Sequence, residues 1–92
     1  MIELGGNIKL KGFTELDPAT LIVVKKIVGN YTKKLTQEHP DFIELLLDLN
    51  KIGKFYSLNV NLSRRSGSLV ADAKEENLFF ALSSALNKIH KT

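Results

Sequence analysis

Leu69-Val70-Ala71-Asp72-Ala73-Lys74-Glu75-Glu76-Asn77-Leu78-Phe79-Phe80-Ala81-Leu82 is the stretch whose reading decides the fold. Leu69, Ala71 and Ala73 recur at every second position, the period of a strand. From Leu78 the apolar residues return at Leu82, Ala85, Leu86 and Ile89, the period of a helix. A strand therefore turns directly into an amphipathic helix, with Glu75 and Glu76 at its opening. The alanines matter because a helix can lie close over a strand with small side chains.

Working outward, Ser63-Arg64-Arg65-Ser66-Gly67-Ser68 is polar and contains glycine, which predicts a hairpin turn. Before it, Tyr56 to Leu62 alternates cleanly, with Ser57, Asn59 and Asn61 on one side, so one sheet face is expected to be wet. Phe42 to Leu49 fits either element. As a helix, Phe42, Leu45, Leu46 and Leu49 share a face. As a strand, Ile43, Leu45, Leu47 and Leu49 point inward. Its leucines favour helix, but a hairpin partnership with Tyr56–Leu62 favours strand, and strand is the reading adopted. Asp17-Pro18 is a helix start: the carboxylate can cap the first turn and proline fits the first helical position. Leu21, Val24, Val28, Tyr31 and Leu35 then share one face, and His39-Pro40 marks the exit. Ile8-Lys9-Leu10-Lys11 alternates as a strand closed by Gly12. Met1 to Asn7, with Gly5-Gly6, is a loose lead-in or a short extra edge.

The expected order is β-α-β-β-β-α: a single α+β domain over residues 1–92. Four strands form one layer and two helices pack on one face of it, a layout like that of double-stranded-RNA-binding modules.

The chain has 92 residues, 43% of them hydrophobic and 25% charged, an ordinary globular balance. It has no cysteine, which removes disulfides and thiolate metal sites. The apolar runs are too short to span a bilayer and the N-terminus lacks a signal-peptide layout, so a cytoplasmic protein with no membrane partner is expected. Neither His39 nor His90 has metal-ligand spacing, and no nucleophile elbow, phosphate loop or dinucleotide fingerprint occurs. Neither an enzyme nor a cofactor, metal or small-molecule substrate is expected.

The net charge of +3 is compatible with nucleic acid, but its distribution decides more than its sum. Lys26 and Lys33 fall nearly in line on the first helix, opposite Leu21, Val28 and Leu35, and Lys25 and Lys34 flank the buried stripe. Cations in successive turns can track a phosphate backbone. The plainer reading is a solvated face, with Lys33 and Lys34 serving the C-terminal end of the helix dipole. Lys88, His90 and Lys91 form a second cluster, open to the same two readings. Arg64 and Arg65 sit at the expected hairpin tip, where a guanidinium can reach phosphate or simply face water. Phe80 falls opposite Leu82 and Ile89, and Ile22 and Val23 fall off the first helix's buried stripe. These three either pack between the helices or form a partner surface or homodimer contact, and an outward Phe80 could also stack on a base.

The order and these residues resemble the ribosome hibernation-promoting factor family, also called ribosome-associated inhibitor A. Ala71-Asp72-Ala73 followed by Glu75-Glu76-Asn77-Leu78-Phe79-Phe80-Ala81-Leu82 is similar to the family's A-x-A strand, acidic or amide turn and helix opening. Ile8-Lys9-Leu10-Lys11-Gly12 is similar to its first strand, and Tyr31-Thr32-Lys33-Lys34-Leu35 to its lysine–leucine helix end. Phe80 stands where that family usually has a small residue. The resemblance implies a translation inhibitor that binds the decoding region of the small ribosomal subunit through 16S-type ribosomal RNA. A double-stranded-RNA-binding-like module and a homodimeric protein-interaction domain are the alternatives.

Overall fold

The computed structural model describes residues 1–90. Seven elements follow one another: β1 (Ile2–Leu4), β2 (Ile8–Lys11), α1 (Pro18–Glu38), β3 (Phe42–Ile52), β4 (Phe55–Arg64), β5 (Leu69–Glu75) and α2 (Leu78–His90). The strands form one sheet in the order β1-β2-β3-β4-β5. β2 and β3 are parallel, as their connection through α1 requires, and the other neighbours are antiparallel hairpins.

The sheet therefore has five strands rather than the expected four. The extra one is β1, which pairs Ile2 with Leu10 and Leu4 with Ile8. Gly5 and Gly6 both take positive φ, 63° and 81°, so the backbone can reverse tightly and return along its own edge. Only three residues pair, which is why alternation alone left the segment undecided.

The leucine-rich segment is a strand, as its hairpin partnership implied. β3 lies between β2 and β4, so its backbone is paired on both sides and its helix propensity is overridden. Leu45, Leu47 and Leu49 point into the core opposite Leu62, Val60 and Leu58. Ile43 does not join them. A bulge between Phe42 and Glu44 breaks the alternation, and Ile43 is 53% exposed. Phe42 packs against the core edge instead.

One face of the sheet carries the core: Ile8 and Leu10 of β2, the β3 and β4 rows, and Ala73 of β5. α1 covers it with Val24, Val28 and Leu35, while α2 lies over β4 and β5 with Leu78, Ala81, Leu82, Ala85, Leu86 and Ile89. The small side chains of β5 and α2 meet here, as the opening stretch implied. Asp17 caps α1, its carboxylate accepting the Thr20 amide hydrogen bond at 3.2 Å. Glu75 and Glu76 do not open α2. Glu75 is the last residue of β5, and Asn77 caps the helix by accepting from the amides of Phe79 (2.8 Å) and Phe80 (3.1 Å).

Two core features have no periodic signal. Gly12 holds φ +82° against the Leu49 carbonyl oxygen, and Phe13 beside it is fully buried in the loop before α1. At the other end, His39, Asp41 and Arg64 form a clamp. Asp41 accepts the Ser66 amide at 2.9 Å, and Arg64 Nη1 lies 3.3 Å from His39 Nδ1. This ties the β4–β5 hairpin to the exit of α1.

Candidate nucleic-acid interface

The two helices run side by side and parallel. At their starts, Asp17 and Thr20 line one cleft with Leu78 and Phe79. In the middle, the Tyr31 hydroxyl donates to Asn87 Oδ1 at 3.1 Å. At their ends, His90 Nδ1 lies 3.0 Å from Glu38 Oε2. The first helix thus belongs to one continuous layer with Lys88 and His90, an arrangement that residue spacing cannot specify.

That layer is where positive charge collects. α1 and α2 carry Lys25, Lys26, Lys33, Lys34 and Lys88 against a single carboxylate, Glu38, which faces His90. The other nine carboxylates lie on the sheet and its loops. A chain of modest net charge therefore presents a distinctly basic helix layer.

Lys25, Lys26, Lys33 and Lys34 are all exposed. Among the described residues, Lys25, Lys26 and Lys33 form no ion pair, and Lys34 lies over the Tyr31 ring at 5.4 Å. α1 runs on to Glu38, and no basic residue falls in its last turn, so service to the helix dipole does not account for Lys33 and Lys34. Lys26 and Lys33 share the ridge pointing away from the sheet.

The remaining candidates divide. Lys88 is exposed, but its ammonium donates to the Asp72 carbonyl of β5 at 2.6 Å, so it closes part of that open sheet edge. Lys91 lies outside the described residues. Arg64 is not at the hairpin tip. It is the last residue of β4, half-buried, and its Nε donates to the Gly67 carbonyl at 3.0 Å. Local contacts hold its guanidinium, whereas Arg65 is exposed at the turn. The helices do not hide the three apolar residues: Phe80 is 68% exposed, Ile22 65% and Val23 43%. About two helical turns back from the Tyr31–Asn87 contact, Val23 and Phe80 come level with each other on adjacent helices.

Sequence reading did not single out a further basic group at the β3–β4 turn. Lys54 and Lys74 flank the Phe55 ring at 5.6 and 5.3 Å, and Lys51 lies over Tyr56 at 5.4 Å. Lys51 and Lys54 beside Gly53 were a visible signal, but only strand pairing brings Lys74 to them. Lys54 is also paired with Glu76 at 3.2 Å. Among the described residues no cluster of three metal-ligating side chains occurs, and no helix is long and apolar enough to cross a membrane. Hydrogen bonds from Thr20 hold the Asp17 carboxyl below the ordinary aspartate range, and hydrogen bonds from Ser66 do the same for Asp41.

No protein-family profile and no curated protein matches the chain by sequence. Solved structures do match it. A ribosomal subunit interface protein from Coxiella burnetii superposes with a TM-score of 0.65 at 11% identity, over 92% of this chain and 88% of that one. The N-terminal domain of Protein Y from Thermus thermophilus superposes with a TM-score of 0.68 at 16% identity, over 91% of this chain and 89% of that domain. The chain has the fold of these two proteins. The likeness runs through nearly all of both chains, so it includes the two-helix layer on which the lysines stand.

Proposed function

We propose that this chain is a ribosome-associated translation inhibitor of the hibernation-factor type. It binds the small ribosomal subunit through 16S-type ribosomal RNA and acts in the cytoplasm by occupying a site rather than by catalysis. The observation that carries this reading is the segregation of charge: five lysines and one carboxylate on the helix layer of a fold shared with a ribosomal subunit interface protein.

Lys25, Lys26, Lys33 and Lys34 would meet phosphate directly, with Arg65 and Lys88 extending the surface and Lys91 a further candidate cation by sequence alone. Such contacts neutralise phosphates and release counterions without reading sequence. This suits a binder of one folded RNA, where shape supplies the specificity. Arg64 contributes by fixing the hairpin that presents Arg65. A duplex-RNA module would need cations at the start of α2, where Glu75 and Glu76 would instead repel phosphate.

Co-sedimentation with purified small subunits tests the proposal. The chain is expected to pellet with subunits at low salt and to be released as salt rises. Replacing Lys26 and Lys33 together with glutamate is expected to lower the slope of log affinity against log salt by about 0.7–0.9 for each phosphate that is no longer neutralised. Binding that ignored both salt and the replacements would refute it.

A further inference from the structure

The exposed ring of Phe80 is the feature of the helix layer that phosphate binding by lysines leaves unused. We propose that Phe80 is a stacking platform for an unpaired RNA base, with Val23 as the apolar wall beside it and the α1 lysines holding the flanking phosphates. This rests on the RNA-binding reading above and assigns that surface a preference for single-stranded segments.

Phe80 has no packing role: it stands 68% exposed on the third residue of α2, while its neighbour Phe79 turns into the cleft with Leu16 and Thr20. Its ring is also unobstructed. Ser83 and Ser84 lie one turn ahead on its side of the helix, and Asn77, one turn behind, is occupied with capping. Short side chains fore and aft leave an aromatic face open, and any base offers a π face to it.

Charge complementarity selects the occupant. Two copies of this layer placed face to face would oppose lysine to lysine, with only Glu38 of each to offset them, and Glu38 already faces His90. A polyanion with flat apolar bases satisfies the lysines and the ring together. Packed helix axes lie about 8–10 Å apart, so Lys26, about one turn past Val23 on α1, stands about one nucleotide from a ring on α2, and Lys33, about two turns further along, would meet phosphates farther down the strand. The phosphates would run over α1, away from Glu75 and Glu76 at the foot of α2. A base inside a duplex is already stacked on its neighbours and cannot reach the ring, so the base must come from a single strand, loop or bulge.

The chain contains no tryptophan, so Phe80→Trp installs one indole as a reporter at the site. Titration with single-stranded oligoadenylate is expected to quench its emission in step with binding, whereas an RNA duplex of equal length quenches little. Phe80→Ala is expected to weaken oligoadenylate binding by about tenfold without changing its salt dependence, and Phe80→Tyr to retain it. Salt-dependent binding with an unquenched indole and no loss in Phe80→Ala would overturn the stacking role while leaving the ribosomal reading intact. A concentration-dependent rise in mass abolished by Phe80→Ala, with no effect on RNA, would give the ring to a second copy and also overturn it. Failure of the unaltered chain to bind either oligoadenylate or small subunits would sink both.

Discussion

Replacing Gly12 with alanine probes the joint on which the parallel pairing of β2 and β3 closes. Gly12 follows the last paired residue of β2 and holds φ +82°, a conformation that costs a residue with a Cβ about 1–2 kcal/mol. The added Cβ would also collide with the Leu49 carbonyl oxygen, which belongs to backbone and cannot swing aside. On either side lie Phe13, fully buried, and Leu49, 6% exposed, so relief of the overlap must displace core. Overpacking of this kind costs a further ~1–3 kcal/mol. The sum, about 2–5 kcal/mol, is a large share of the ~5–15 kcal/mol that holds a domain together. Gly6→Ala is the matched control: Gly6 has nearly the same φ, +81°, but nothing lies within 4 Å of the position its Cβ would take. It is expected to lose only the dihedral part, about 1–2 kcal/mol. Urea unfolding followed by circular dichroism gives both values. If Gly12→Ala is no less stable than Gly6→Ala, the close approach to Leu49 has no energetic weight and the reasoning fails.

Asn77→Ala removes the side-chain acceptor for two amides at the start of α2 and is expected to cost about 0.5–2 kcal/mol in the same assay; Asn77→Asp should retain most of it. The Asp41 carboxyl titrates below its ordinary value of 3.8 because Ser66 hydrogen-bonds its charged form. Its stabilising effect is therefore present above the unfolded-state value and is lost as pH falls through the lower folded value. The stability advantage of the native chain over Asp41→Asn should accordingly shrink between pH 5 and pH 3, and an advantage independent of pH would contradict the assignment.

Local pattern accounts for much of what was legible in the chain itself. Asp17-Pro18 and His39-Pro40 bracket α1 because capping and proline geometry act within a few residues. The stripe through Val24, Val28 and Leu35 and the alternation through Leu58, Val60 and Leu62 found the core because burial follows the period of each element. The lysine ridge on α1 followed from the same period, which places Lys26 and Lys33 opposite that stripe.

Other features depend on residues far apart in sequence. The bulge that expels Ile43 arises from how β3 meets β4, and no alternation within β3 announces it. Phe13 is buried as part of the core cluster although it stands in the loop before α1 and on no periodic face. Arg64 reads as a free tip cation until His39, distant in sequence, comes within reach of it. The site divides in the same way. Which side chains point out of α1 and α2 follows from 3.6 residues per turn and was determined by the sequence alone. That those outward faces lie parallel in one layer, with Glu38 the single carboxylate among five lysines and Phe80 level with Val23, was decided only by the packing of both helices on one sheet face, because the period of a helix carries no information about its neighbour.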